Sequence, residues 1–202
     1  MSFSAAIFYF DNYKPFSLIN NLSIYQIIRS NLAKVRYIKE FYNVVYCADR
    51  YVVKELNKTN LDNLIKLEAP VDNPDDLIRD LDEKLEFINY LFIKPYFPLL
   101  QAESVENGFH IIDKNRSINR VYFGRLVKTF HDINKKTVVM PVVLDNIFII
   151  NHNLLYNSNQ ENSFLVEVSL PESLDISKPE EYELCTCVLS DHNKKPRRTY
   201  GK

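Results

Sequence analysis

Three cysteines and four histidines are the first residues of this chain to consider as metal ligands or nucleophiles. Cys185 and Cys187 are one residue apart, and on a strand their thiols would share one face because side chains alternate. His192 follows, but a structural zinc site needs four ligands, and the sequence has no second half-site of this type. The spacing therefore favours buried, inert cysteines, and we predict no metal site.

Acidic residues are concentrated around Asn73-Pro74, which predicts the start of a helix because a capping side chain and a proline precede two acids. The acids are Asp72, Asp75, Asp76, Asp80, Asp82, Glu83 and Glu86. Such a group could bind a cation or perform acid–base catalysis. Their spacing instead places the early acids at the positive end of the helix and the others opposite an apolar stripe. That stripe runs from Leu77 to Phe92, and Pro95 and Pro98 would end the helix. We interpret them as a solvated helix face that a basic partner could contact.

The sequence contains no recognisable catalytic motif: no GxSxG elbow, P-loop, GxGxxG fingerprint, HExxH pair or EF-hand loop. Gly108 and Gly124 are the only interior glycines, so a backbone cradle for a nucleotide phosphate is not expected. An enzyme with a dispersed site stays open as an alternative, and its candidate residues are His131, Asp132, Asp145 and Glu167. Single histidines such as His152 are more often ordinary hydrogen-bonded residues. Otherwise we predict no catalytic residue and no cofactor.

Charge is strongly segregated along the chain, although the net charge is only −1. Net charges of +4, −7, +5, −7 and +4 fall in residues 29–58, 59–112, 113–136, 137–183 and 184–202. Basic residues beside aromatic ones, as in Arg36-Tyr37 and Arg50-Tyr51, suit a surface that binds phosphates and stacks bases. The alternative is that basic and acidic blocks neutralise each other across the fold.

The candidate nucleic-acid-binding residues are Arg36, Lys39, Arg50, Lys54, Arg116, Arg120, Arg125, Lys128, Lys194, Lys195, Arg197 and Arg198. The last four form a short basic cluster typical of a nuclear import signal or a phosphate-contacting patch. A solvated, mobile tail at 191–202 is the alternative interpretation.

Size and composition are those of an ordinary globular protein: 202 residues, 46% apolar and 25% charged. Three cysteines are a poor disulfide framework, so we expect an intracellular, reducing location. The location would be nuclear if the host is eukaryotic and the basic cluster is an import signal, and cytoplasmic otherwise. No apolar run approaches the length of a membrane span, so no membrane partner is expected. Abundant Asn, Ile, Lys, Tyr and Phe indicate an A+T-rich genome, such as a viral one.

The residue pattern predicts a strand at 5–10, a helix at 18–32, a hairpin from 42–47 and 51–55, and a short helix at 61–67. A continuous helix is the alternative to that hairpin. From Gly108 onward, β-branched and aromatic runs predict strands at 109–112, 120–130, 137–143, 147–150, 164–170 and 184–189. Residues 151–163 are rich in Asn and predict a long surface loop.

The sequence therefore predicts an α+β fold with helices in the N-terminal half and a mostly antiparallel sheet or small barrel in the C-terminal half. Residues 1–190 would form one domain, with a possible subdivision near 100–108. The predicted function is that of a non-enzymatic binding protein for nucleic acid or an acidic partner. The first alternative is a protein-interaction subunit or inhibitor that acts through the acidic helix face.

Overall fold

The computed structural model describes residues 3–46, 50–58, 63–69, 71–85, 87–131, 136–156 and 161–192. The strands are β1 (Ser4–Phe10), β2 (Leu18–Ile19), β3 (Leu22–Ser23), β4 (Ile38–Tyr46), β5 (Leu64–Leu67), β6 (Asn89–Ile93), β7 (Arg120–His131), β8 (Lys136–Asn151) and β9 (Ser163–Glu167). The α-helices are α1 (Ile24–Leu32), α2 (Arg50–Lys58), α3 (Pro74–Leu85), α4 (Ala102–Lys114), α5 (His152–Tyr156) and α6 (Pro179–His192). Short 3-10 helices lie at Lys14–Phe16 and Pro171–Ser173.

Seven strands form one mixed sheet in the order β5-β4-β1-β6-β8-β7-β9. All of them run parallel except β8, which is antiparallel to both of its neighbours, β6 and β7. Strands β1 and β6 are buried along their whole length, as expected for parallel strands that are covered on both faces. β2 and β3 form a separate two-stranded ribbon whose turn, Asn20-Asn21, has positive φ angles of 52° and 69°.

Helices cover both faces of the sheet. On one face α1 and α4 pack on Ala6, Phe8 and Phe10, and Cys185 of α6 joins the same core. On the other face α3 and α5 pack on the alternate β1 residues, Ala5, Ile7 and Tyr9. The crossover from β1 to β4 through α1 and the one from β5 to β6 through α3 therefore use opposite faces of the sheet.

The predicted fold class is wrong. The helices are not confined to the N-terminal half, since α4, α5 and α6 all lie beyond residue 101, and the sheet is mostly parallel. Residues 109–112 and 184–189, predicted as strands, lie inside α4 and α6. Their apolar runs are short, and only the longer helical period around them separates a buried helix from a strand.

Of the other predicted helices and strands, some are confirmed and others are wrong. The strand at 5–10 and the start of a helix after Asn73 are confirmed. The predicted end of that helix is wrong, because α3 ends at Leu85 and Phe92 lies in β6. The hairpin is wrong because its first arm lies in β4 and its second in α2. The helix predicted at 61–67 is wrong for its described part, where 64–67 form β5. The helix at 18–32 begins only at Ile24, where Ser23 and Gln26 form a reciprocal capping box. The runs at 137–143 and 147–150 are one continuous strand, β8.

Candidate functional site

Strand order identifies the edge of the sheet where a ligand is expected. From β1 the chain crosses to β4 on one side, and it later returns to β6 on the other side. The connections that leave the carboxyl ends of β1 and β6 therefore diverge, and open α/β sheets bind ligands in the crevice at such a switch point. The residues that follow β1 and β6 are the first candidates for a functional site.

Those residues form a cluster of charged and polar side chains. Asp11 directly follows β1 and Lys94 directly follows β6, and Lys94 Nζ lies 2.9 Å from Asp11 Oδ2. The Tyr96 hydroxyl donates a hydrogen bond to Asp11 Oδ1, and Asn12 Nδ2 donates to the Tyr96 hydroxyl oxygen at 2.5 Å. Both members of the ion pair stay partly exposed to solvent. The two strand ends are thus joined by a network that solvent can still reach.

A second segment of chain lies across the same edge. Lys14 Nζ, in the 3-10 helix after β1, donates to the Ser177 carbonyl at 2.5 Å. The Ile176 N–H donates to the Tyr96 carbonyl at 2.9 Å. The segment between β9 and α6 therefore contacts the loops that follow both β1 and β6, at the edge where the crevice is expected.

The Lys94 side chain also extends over the Tyr9 ring, with Nζ 5.6 Å from the ring centroid. The Tyr9 hydroxyl in turn accepts a hydrogen bond from the Val71 N–H at 3.1 Å, in the connection between β5 and α3. Three connections at the carboxyl edge therefore meet at the ends of β1 and β6. A cation held at their meeting point is suited to bind an anionic ligand.

Glycine is absent from the connections at this edge, 11–17 and 94–101. The two interior glycines serve packing instead. A Cβ at Gly108 would lie 2.8 Å from Ile149 Cδ1, and one at Gly124 would lie 2.4 Å from the Val142 carbonyl oxygen. A phosphate at the carboxyl edge would therefore be bound by side chains such as Lys14 and Lys94, because no close-approach glycine loop lies there.

Two of the sequence-predicted basic residues belong to this end of the sheet. Arg50 and Lys54 are exposed residues of α2, which follows the carboxyl end of β4. Tyr51, beside Arg50, contacts Tyr13 of the loop after β1, with ring centroids 5.9 Å apart. The loop after β1 and the start of α2 are therefore adjacent.

The other sequence-predicted basic residues are dispersed. Arg36 precedes β4 and forms an ion pair with Glu106 of α4, and Lys39 lies over the Phe3 ring. Arg120, at the start of β7, pairs with Asp75 of α3 and lies 3.6 Å from Glu161. Arg116 lies in the turn before β7, and Arg125 and Lys128 lie farther along that strand. Lys194, Lys195, Arg197 and Arg198 lie outside the described residues.

The cysteine pair is not on a strand but on α6, where residues two positions apart point in different directions. Cys185 is buried and Cys187 exposed, so the prediction that both thiols are buried holds for Cys185 alone. The pKa of the Cys185 thiol is raised to about 12. Burial is the main cause, and the nearby acids Glu181 and Asp175 add to it. Within the described ranges no group of three His, Cys, Asp or Glu side chains could hold a metal ion.

The prediction that the acids lie on a solvated helix face is wrong for Asp82, which is only 4% exposed. Its carboxylate accepts hydrogen bonds from the hydroxyls of Tyr90 at 2.5 Å and Tyr156 at 2.9 Å, and His152 Nδ1 lies 2.8 Å away. The pKa of Tyr90 is raised, mainly by burial and secondly by the hydrogen bond to Asp82. This cluster joins α3, β6 and α5 at the amino edge of the sheet, away from the crevice. Asp145 and Glu167 are exposed on β8 and β9, and Asp132 lies outside the described residues.

The fold defined by this sheet is Rossmann-like: seven mostly parallel strands with helices on both faces. No family model matches the sequence, and no curated protein matches it. Among solved structures, CMP:2-keto-3-deoxy-manno-octonic acid synthetase complexed with CTP is similar, with a TM-score of 0.73 and 12% identity over 95% of this chain and 100% of that one.

Two further similar structures carry the same enzyme name, 4-diphosphocytidyl-2C-methyl-D-erythritol synthase. The one from Anaerococcus prevotii DSM 20548 has a TM-score of 0.66 and 13% identity, over 93% of this chain and 96% of that one. The other has a TM-score of 0.71 and 9% identity, over 94% of this chain and 99% of that one. At such identities the likeness shows the fold.

These neighbours overturn the sequence-based function. Their titles name a synthetase and two synthases, and none is named as a nucleic-acid-binding or viral protein, so the prediction of a non-enzymatic binding protein is wrong. Whether nucleic acid or another protein is a partner, and where in the cell the chain works, stay predictions. Each described helix falls short of the length and apolar character that a membrane crossing requires.

Proposed function

We propose that this chain is a nucleotidyltransferase-type enzyme that binds a nucleoside triphosphate, first of all CTP, at the carboxyl ends of β1 and β6. The observation that carries the proposal is the ion pair of Asp11 and Lys94 at the switch point of the sheet. The fold supports it, since one similar structure is a synthetase complexed with CTP.

In nucleotidyl transfer, an acceptor oxygen attacks the α-phosphorus of the triphosphate. The bond from that phosphorus to the oxygen bridging the β-phosphate breaks, and pyrophosphate leaves with the bond's electron pair. An acceptor hydroxyl releases its proton to water. The protein acts mainly by positioning the reactants and by stabilising negative charge on the phosphate oxygens.

The carboxyl edge offers residues for both tasks. Lys94 and Lys14 supply ammonium groups that can bind phosphate oxygens. Asp11 and Tyr9 hold the Lys94 side chain in place, so its charge is positioned before the ligand arrives. Since the loops here contain no glycine, single lysine substitutions should have large effects on binding.

Isothermal titration calorimetry of the full chain with CTP tests the proposal. Losing one hydrogen bond to a charged group costs about 1.5 to 3 kcal/mol, so Lys94→Met should weaken CTP binding about 10- to 150-fold. Lys34→Met is the matched control, since Lys34 is an exposed lysine in the turn after α1 and away from the crevice. Thermal melting of each variant checks folding.

The wild-type chain should bind CTP, and the control should bind it as the wild type does. Failure of the wild type to bind CTP or any other nucleoside triphosphate at millimolar concentration would refute the proposal. Equal weakening by Lys94→Met and Lys34→Met would show that the effect is general charge loss, and would remove the assigned role of Lys94.

A further inference from the structure

Two exposed aromatic side chains lie together beside the crevice. Tyr13, in the loop after β1, is 55% exposed, and Tyr51, in the first turn of α2, is 56% exposed. Their ring centroids are 5.9 Å apart with an angle of 76° between the planes, an edge-to-face contact. More than half of each side chain thus stays accessible to solvent although the two rings contact each other.

The Tyr13 ring is carried by a fixed turn. Asn12 Oδ1 accepts a hydrogen bond from the Lys14 N–H at 2.9 Å, and the Tyr13 carbonyl accepts one from the Phe16 N–H at 2.9 Å. Pro15 in the 3-10 helix restricts the backbone further. An aromatic ring on a rigid turn loses little conformational entropy when a ligand stacks on it.

Tyr13 also links two parts of the candidate site. The residue before it, Asn12, hydrogen-bonds to Tyr96, and the residue after it, Lys14, provides one of the site's cations. Tyr51 is followed by Val52, which is fully buried and anchors α2, and it is preceded by the exposed Arg50. Positive charge therefore flanks the tyrosine pair on both elements.

We infer that Tyr13 and Tyr51 form an aromatic subsite that stacks the base of the bound nucleotide, while Lys14 and Lys94 bind its phosphates. This inference rests on the proposed function and assigns the base-binding part of the same site. Exposed rings next to cations match a ligand that joins a planar aromatic group to an anionic chain, which is the chemistry of a nucleotide. Stacking tolerates any base because every base has a π-face, so the subsite adds affinity and little base selectivity.

Titration of the full chain with two probes, CTP and inorganic tripolyphosphate, separates the two parts of the site. Stacking of one base contributes about 1 to 3 kcal/mol, so Tyr13→Leu and Tyr51→Leu should each weaken CTP binding about 5- to 150-fold. Tripolyphosphate binding should stay within about twofold of wild type, because the phosphate-binding lysines are retained. Tyr13→Phe keeps the ring and should bind CTP as the wild type does.

Phe164→Leu is the matched control, because Phe164 is an exposed aromatic residue on the edge strand β9. Unchanged CTP affinity in both tyrosine variants, or equal weakening by Phe164→Leu, would overturn the subsite and leave the proposed function standing. If the wild-type chain binds neither CTP nor tripolyphosphate, the proposed function and the subsite fall together. Loss of tripolyphosphate binding in the tyrosine variants would also count against the subsite, since it would indicate a distorted loop.

Discussion

Glu172 is the residue whose substitution tests the structure most directly. It lies in the turn after β9 and is 8% exposed. Its Oε1 accepts hydrogen bonds from the Gln101 N–H at 3.1 Å and the Ser104 hydroxyl at 2.5 Å. Its Oε2 accepts from the Ser169 N–H at 3.0 Å and the Ser169 hydroxyl at 2.8 Å. Gln101 makes no side-chain cap of its own, so Glu172 supplies the cap of α4 from a distant segment.

The cost of Glu172→Gln follows from these four contacts. The amide keeps one acceptor oxygen and presents an NH2 group to the other two donors. A serine hydroxyl can rotate and accept instead, but a backbone N–H cannot, and leaving it buried without an acceptor costs about 1 to 3 kcal/mol. Losing the negative charge at the α4 N-terminus adds about 0.3 to 1 kcal/mol. We expect the variant to lose about 1 to 4 kcal/mol of unfolding free energy at pH 7.

The loss of unfolding free energy in Glu172→Gln should depend on pH. Burial of Glu172 opposes ionisation, but the hydrogen bonds from Ser104, Ser169 and Gln101 outweigh it and lower its pKa below the ordinary value of 4.5. A carboxylate whose pKa is lowered by folding stabilises the protein fully above the unfolded pKa, and that stability disappears as the pH falls through the folded pKa. The stability difference between wild type and Glu172→Gln should therefore be largest near pH 7 and narrow as the pH falls below about 4.5.

Urea denaturation of both proteins from pH 7 down to about pH 3 measures this difference. Glu180→Gln removes an exposed acid from the first turn of α6 and serves as the control, with an expected loss of at most about 0.5 kcal/mol. A Glu172→Gln variant as stable as the control at pH 7 would refute the capping role. A stability difference that does not change with pH would refute the assignment of the lowered pKa.

Two further predictions concern glycine and cysteine. Gly124→Ala should destabilise the fold by about 2 kcal/mol or more, because the new methyl group meets the backbone carbonyl oxygen of Val142. Gly108→Ala should destabilise it less, because the new methyl group meets only side-chain atoms, of Ile149, Phe123 and Val121, and alanine favours the helix. Thermal denaturation measures both variants. The opposite order would contradict the packing of Gly124 at the register shift where β7 pairs with β8. Iodoacetamide at pH 8 should alkylate the exposed Cys187 and spare Cys185, whose pKa is raised to about 12. Peptide mapping by mass spectrometry measures the alkylation of each cysteine. Equal labelling of Cys185 and Cys187 without denaturant would contradict the burial of Cys185.

Local sequence rules predicted those elements that carry their own signals. The order Asn73-Pro74-Asp75-Asp76 marks the start of α3, and the Asn73 side chain indeed accepts a hydrogen bond from the Asp75 N–H at 3.1 Å. The same code begins α6, where Pro179 precedes two acids, Glu180 and Glu181. The apolar run 184–189 resembles a strand, and it led to the wrong prediction although the helix-start signal was present. A start signal of this kind is stronger evidence than a short apolar run.

The candidate site could not be predicted from motifs, because its parts come from distant segments. Asp11 and Lys94 are 83 residues apart, and neither belongs to a recognisable pattern. Each directly follows a strand that is buried throughout, and that was the available signal. These positions predict that Asp11 and Lys94 lie close together only if the two strands are parallel neighbours, because only then do their carboxyl ends meet. An antiparallel sheet would have placed these residues at opposite edges.

The charge blocks show why the same residues led to a different function at the level of sequence. Arg36 belongs to a basic block and pairs with Glu106, 70 residues away, in the acidic block that follows. Arg120 of the next basic block pairs with Asp75 of that same acidic block, 45 residues away. Folding therefore neutralises these basic residues in pairs, as the alternative interpretation of the charge pattern predicted. Lys94 lies within an acidic block and also pairs with an acid, Asp11, so charge alone does not distinguish it from Arg36 and Arg120. What distinguishes it is its position at the end of β6, at the switch point of the sheet, and the role proposed for it rests on that position.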